Sequence, residues 1–277
     1  MIALDLDDTL LRSDLTISFR TRNAIKRAGN AGILTVLASG RVPATMEQVA
    51  RLLGMHKRPG YLICNNGTTI QESHTGSLIY EIKIPREPAL LAYDLAAAEG
   101  FSVQIYENDV VYISRFNELA GYDQKLTGLR QVVVENFREM VAAGVYKLLI
   151  PGDPMILRPL ATLLRAYIGD AATLFTNRPY FLEVLPPATD KGAALAWVAQ
   201  QADVPREAVL AIGDSLNDEA MIRWAGVGVA MVNGDSRIKN IADMVTNRSN
   251  DDDGIADFIE RYILGKEPLP QGTAYEG

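Results

Sequence analysis

Met1-Ile2-Ala3-Leu4-Asp5-Leu6-Asp7-Asp8-Thr9-Leu10-Leu11 opens the chain, and its reading decides the fold. The apolar run from Met1 to Leu6 ends among acids, the pattern of a buried parallel strand whose C-terminal end carries Asp5 and Asp7. Ser18 suits the N-cap of a helix to about Ala31, with Gly32 as the stop. Ile33 to Ala38 reads as a second buried strand, closed at once by Ser39-Gly40-Arg41. Pro43 fits the first turn of a helix ending near Gly54. Tyr61 to Cys64 is a third strand, broken by the turn signal Asn65-Asn66-Gly67. Strands alternating with helices predict an α/β domain on a parallel sheet.

The middle of the chain has another style. Hairpins are expected over 101–114 and 173–185, the second turned at Asn177-Arg178-Pro179, with a strand at 145–150 and a helix opening at Asp153-Pro154. That mixture predicts an α+β insert. After Pro186-Pro187 the first style returns: a helix from about Asp190, a buried strand from Val209 to Gly213 ending in Asp214, and a helix from Asp218. The expected architecture is a Rossmann-like parallel-sheet core built from residues 1–81 and 188–277, interrupted by an α+β domain over 82–187. The tail from Gly265, with Pro268 and Pro270, is expected to be loosely held.

Composition narrows the function. Across 277 residues, 27 Lys and Arg stand against 34 Asp and Glu, a net charge of −7 that argues against a general nucleic-acid binder. No apolar run is long enough to span a membrane, and the N-terminus lacks the pattern of a signal peptide. One cysteine, Cys64, leaves no intramolecular disulfide and fits a reducing, cytoplasmic setting. With only His56 and His74 beside it, a His/Cys zinc site is excluded in practice, so any metal should have oxygen ligands, as magnesium does. Both histidines lie in polar stretches and are expected at the surface, whereas Trp197 and Trp224, on predicted helices, are expected in the core.

Polar groups stand at the C-terminal ends of the predicted buried strands: Asp5 with Asp7, Ser39, Asn65-Asn66, and Asp214 with Asp218. Ligands of open α/β sheets bind at that edge. Asp5 and Asp7, two apart in extended chain, project to the same side. Two carboxylates about 4 Å apart repel by about 4 kcal/mol at an effective dielectric near 20. A cation must neutralise them, or one must hold a proton; either outcome suits nucleophilic and acid–base work. Ser39-Gly40-Arg41, at a strand end and a helix start, offers a hydroxyl and free N–H groups to a phosphate. Lys191, at a helix N-terminus, opposes the macrodipole and asks for an anionic partner, unless it is merely solvated. Asp251-Asp252-Asp253 reads as an acidic cap before a helix rather than a second metal site.

Taken together, Asp5-Leu6-Asp7-Asp8-Thr9, Ser39-Gly40-Arg41, Lys191-Gly192 and Gly213-Asp214-Ser215-Leu216-Asn217-Asp218 resemble the ordered motifs of the haloacid dehalogenase-like (HAD) phosphohydrolases. Asn66-Gly67 and the α+β insert resemble the Cof-type branch, which carries a large cap there; one departure is Asp8, where that branch usually has Gly. The resemblance implies that Asp5 attacks phosphorus to form an aspartyl-phosphate, and that Asp7 serves as general acid and then base. It implies Mg2+ held by Asp5, the Asp7 main-chain carbonyl and Asp214, with Asp218 in support. Ser39, Gly40 and Lys191 would bind the phosphoryl group. Arg41 and Asn66, with Arg178 and Glu183 from the cap beside Tyr180, are the candidate substrate contacts. The expected activity is a magnesium-dependent phosphatase acting on a small phosphorylated metabolite such as a sugar phosphate. The alternatives are a phosphomutase of the same superfamily and a non-enzymatic phosphoacceptor or binding protein. A phosphoacceptor switch would need neither the inserted cap nor Asp7.

Overall fold

The computed structural model describes residues 1–107, 109–176, 179–265 and 267. The strands are β1 (Ile2–Leu4), β2 (Thr35–Ala38), β3 (Gly60–Cys64), β4 (Thr69–Glu72), β5 (Leu78–Glu81), β6 (Gln104–Glu107) and β7 (Val110–Ile113), followed by β8 (Arg130–Val133), β9 (Leu148–Pro151), β10 (Thr173–Phe175), β11 (Phe181–Leu185), β12 (Leu210–Gly213), β13 (Val227–Ala230) and β14 (Met244–Val245). The helices are α1 (Phe19–Asn30), α2 (Pro43–Leu52), α3 (Arg86–Ala98), α4 (Glu118–Thr127) and α5 (Phe137–Ala142), then α6 (Pro154–Ile168), α7 (Lys191–Gln201), α8 (Glu219–Trp224), α9 (Ser236–Ile241) and α10 (Gly254–Phe258). They fall into two compact units, one of Met1–Gly40, Met46–Ile79 and Asp190–Gly277, the other of Arg41–Thr45 and Tyr80–Thr189.

In the first unit an eight-stranded sheet runs β14-β13-β12-β1-β2-β3-β4-β5. Wholly buried β1 lies at its centre, with Leu4 in parallel register with Ile212 of β12 and Leu37 of β2. That register explains how the two chain ends meet. The residues after these strands, Asp5, Asp214 and Ser39, emerge at one edge of the sheet. Helix α1 forms where the sequence asks for it: the Ser18 hydroxyl accepts from the Thr21 N–H at 3.0 Å, and Ala24, Ile25 and Ala28 are buried. Leu37, Leu62, Met46 and Ile212 join the same core, from which solvent is excluded.

The sheet is mixed rather than wholly parallel. β3 and β4 pair antiparallel across Asn65-Asn66-Gly67, which takes positive φ angles of 49°, 56° and 102°. Asn and Gly are the residue types that accept such angles. β4 and β5 escape sequence reading because each is only four residues long and partly exposed.

The second unit has a six-stranded sheet ordered β10-β11-β9-β6-β7-β8, antiparallel except for the β7–β8 pair. Helices α3 and α6 cover it, burying Ala89, Ala92 and Ala96 with Leu157, Leu160 and Leu164. The α3 stripe is alanine, too weakly apolar to stand out as a period in the sequence, and α3 to α5 with β8 were not expected individually. Segment Arg41–Thr45 belongs here because Val42 packs with Val111, Ile113 and Leu129. Trp197 and Trp224 are half-buried, not core residues as expected, since α7 and α8 present small residues to each other. His56 and His74 are exposed. Arg178 and the tail beyond 267 lie outside the described residues. Among the described residues no helix is long and apolar enough to cross a membrane.

Candidate active site

Asp5 follows β1 and is buried, its N–H donating to Ile212 O at 3.0 Å. Asp5 (φ −68°, ψ 164°) and Asp7 (φ −70°, ψ 129°) have extended backbone, and the chain then turns at Asp8 (φ 57°) and closes with Leu11 N–H on Leu6 O at 2.7 Å. The turn returns Thr9 inward, where its hydroxyl donates to Asp214 Oδ1 at 2.8 Å. Asn233 ties the loop from outside, its amide donating to Asp8 O at 2.7 Å. Position 8 therefore occupies the left-handed region that glycine takes most easily, and Asp is among the few other residues that tolerate it.

Asp214 leaves β12 beside β1, and a tight turn brings Asp218 back under it. Asp218 Oδ2 accepts from the N–H groups of Asp214 and Ser215, both at 3.0 Å, in a reciprocal capping arrangement. Gly213 is required by this return, because a Cβ there would lie 2.5 Å from the Asp218 side chain.

Lys191 arrives from α7. Asp190 caps that helix by accepting from Ala193 N–H at 2.8 Å, and Gly192 lets α7 approach the backbone of α8, where a Cβ would meet Ala220 at 2.5 Å. The result is a lysine with 0% exposure whose Nζ donates to Asp5 Oδ1 at 2.5 Å and to Asp218 Oδ1 at 2.7 Å. The solvated reading of this residue is wrong: the ammonium is locked between carboxylates.

One oxygen each from Asp5, Asp214 and Asp218 lies within 4.8 Å of the others. Lys191 offsets one of these three charges, so full ionisation would leave two negative charges in a buried site. Burial, then Asp218, raises the Asp5 carboxyl well above the usual carboxylate range, with Lys191 opposing the shift. Burial and Asp218 likewise push Asp214 up to about 7, while the Thr9 hydroxyl works against them. Burial disfavours the charged Lys191 ammonium, yet Asp218 and Asp5 outweigh it and hold the proton firmly. Carboxylate oxygens carrying an uncompensated double charge are a donor set that fits a hard divalent cation.

The remaining residues group as follows. Ser39 is buried at the end of β2, its N–H on Ile63 O at 2.9 Å and its carbonyl accepting from Asn66 N–H at 3.0 Å. The Asn66 amide sits 3.1 Å from where a Gly40 Cβ would stand, and its Oδ1 accepts from Asn217 Nδ2 at 3.2 Å. Thus Gly40, Asn66 and the Asp214 loop are joined through Asn217. Arg41 and Glu183 belong to the second unit, Glu183 being buried on β11. Thr9, Asn217 and Asn233 were not singled out from the sequence. The first two stand inside the quoted motifs, but nothing local marks Asn233.

Residues 2–259 match the family of haloacid dehalogenase-like hydrolases. A 5-amino-6-(5-phospho-D-ribitylamino)uracil phosphatase of Bacillus subtilis is 31% identical, over 96% of this chain and 98% of its own. An HMP-PP phosphatase of Escherichia coli is 28% identical over 84% of each chain. The crystal structure of a haloacid dehalogenase-like hydrolase from Bacteroides thetaiotaomicron superposes with a TM-score of 0.88 at 33% identity, covering 94% of this chain and 98% of that one. With its acids and lysine drawn from both chain ends into one cluster, the chain belongs to the haloacid dehalogenase-like hydrolases, in the Cof-type branch whose relatives are named phosphatases.

Proposed function

We propose that the protein hydrolyses phosphate monoesters of a small metabolite, such as a sugar phosphate, through an aspartyl-phosphate on Asp5, with Mg2+ as cofactor. The observation that carries this reading is the buried Lys191 bridge, which fixes the Asp5 carboxylate and places a cation beside it. Phosphoryl transfer needs positioning and charge neutralisation more than covalent help, and these are the parts present.

Asp5 and Asp214, with the Asp7 carbonyl, would hold the metal, which when bound adds positive charge against the phosphoryl oxygens. Both Asp218 oxygens already accept hydrogen bonds, so Asp218 braces the cluster and orients Lys191. An ammonium has three N–H donors; two point at Asp5 and Asp218, and the third is left for a phosphoryl oxygen. Ser39 and the Gly40 N–H would bind the other oxygens. An Asp5 oxygen attacks phosphorus as the ester P–O bond breaks, and Asp7 gives its proton to the leaving oxygen. Asp7 then takes a proton from the water that attacks phosphorus, releasing orthophosphate and restoring Asp5.

In this reading the second unit acts as the cap that selects the substrate, with its Arg41 and Glu183 and the first unit's Asn66 as recognition residues. The relatives' names specify small phosphorylated compounds, which supports that substrate class. Buried, unpaired Cys64 fits a cytoplasmic setting. The test is orthophosphate release from a panel of sugar phosphates and related monoesters, with and without Mg2+, comparing the native protein with Asp5→Asn. Metal-dependent release lost in the variant is expected; equal release by Asp5→Asn would reject the nucleophile.

A further inference from the structure

The first unit carries a second polar feature that the hydrolytic site does not use. Helices α1 and α2 run away from the acid-bearing edge of the sheet and return the chain to the start of β2 and β3. Between one face of α1 and the segment from the end of α2 to Arg58 lies an open cleft of about 490 Å³, the size of a small-ligand site. Its wall includes Arg22, Lys26, Arg51, His56, Lys57 and Arg58, and no Asp or Glu. In a chain of net charge −7, chance would scatter these cations among acids.

The cations are also poorly compensated. Arg22 and Lys26 repeat along one face of α1 at the i, i+4 spacing, where like charges repel. Among the described residues, no carboxylate oxygen lies within 4.0 Å of Arg22, Lys26, Lys57 or Arg58, and Arg51 has only Glu47 of its own helix, at 4.0 Å. Arg58 is held in place: its guanidinium donates to Lys26 O at 3.1 Å and to Leu53 O at 3.1 Å, bridging the ends of both helices. Its face lies against Gly29, where a Cβ would meet the guanidinium at 2.6 Å. A cluster of cations largely without carboxylate partners, with Arg58 fixed between the two helices, is complementary to an anion of several charges. Exposed Phe19 and Leu52 add an apolar rim.

We propose that this cleft is a second, non-catalytic binding site for a small ligand carrying two or more linked phosphates. Linked phosphates set several negative charges against the α1 cations and the Lys57–Arg58 segment together, whereas a single orthophosphate offers at most about two at neutral pH.

Calorimetric titration of the full-length protein with tripolyphosphate, with orthophosphate and with ATP tests it. Tripolyphosphate is expected to bind at least about tenfold more tightly than orthophosphate, and added salt should weaken it. The double variant Lys26→Glu, Lys57→Glu changes two exposed side chains, so its melting temperature and basal phosphatase activity should stay native while tripolyphosphate affinity falls at least about tenfold. Tighter binding of ATP, weakened by Phe19→Ala, would identify the ligand as a nucleotide; equal binding would identify an inorganic oligophosphate. The proposal is overturned if tripolyphosphate fails to bind, if orthophosphate binds as tightly, or if the double variant binds as the native protein does, since binding would then lie elsewhere.

Discussion

Lys191 Nζ lies 2.5 Å from Asp5 Oδ1, joining two buried residues 186 positions apart. The same ammonium holds Asp218 at 2.7 Å, so one cation organises acids from the first and the last third of the chain.

Removing that cation leaves Asp5 and Asp218 buried without it. Lys191→Met should lower stability by about 3–5 kcal/mol, the usual penalty for breaking a buried ion pair. Urea unfolding checks it, and phosphate release should be lost as well. Lys191→Arg should not restore release, because a planar guanidinium cannot take the place of a compact ammonium donating to two carboxylates.

Asp7 is given both proton transfers, and they separate kinetically. Asp7→Asn should reduce steady-state turnover by about 10²–10⁴-fold. With p-nitrophenyl phosphate, whose leaving group needs little protonation, a burst of nitrophenol should precede slow turnover as the aspartyl-phosphate accumulates. Turnover without a burst on every substrate would count against the second role.

The raised Asp214 carboxyl has a pH signature. In the unfolded chain it titrates near 3.8, in the folded protein at about 7, so between these values the native state holds a proton that the unfolded state has lost. Its contribution to the metal-free protein is fully present below the unfolded value and is lost as pH rises through about 7. Urea midpoints measured in chelator from about pH 4 to about pH 8 should fall, and Asp214→Asn should flatten that slope. Magnesium should lessen the decline, because a bound cation favours the ionised carboxylates.

Asp8, at φ 57°, tests the turn that carries Thr9 back to Asp214. Asp8→Gly should keep the fold and phosphate release within a few fold. Asp8→Val puts a β-branched side chain in the left-handed region and should lower stability by about 1–3 kcal/mol, read as a fall in Tm.

The core of the fold was legible because its strands are apolar runs closed by polar residues, and buried β1, β2, β3 and β12 keep that signature. β4 and β5 were not legible. Four residues each and partly exposed, they are held by pairing with neighbouring strands, and such pairing leaves little trace in a local window. In the candidate site Asp5, Asp214 and Asp218 could be read from spacing, whereas Asn233 lies in a turn of ordinary composition and acts only because it reaches Asp8 O.

By itself the sequence determined that acids would stand at strand ends, that the charge would be negative, and that His and Cys are too few for a zinc site built from them; these follow from residue type and short-range spacing. Only the tertiary structure decided that Lys191 is buried rather than solvated, that Asp218 gives both oxygens to its neighbours, and that cations from two helices line one cleft. Each depends on distances between segments far apart along the chain, and those are set by sheet register and helix packing, which no local run of residues encodes.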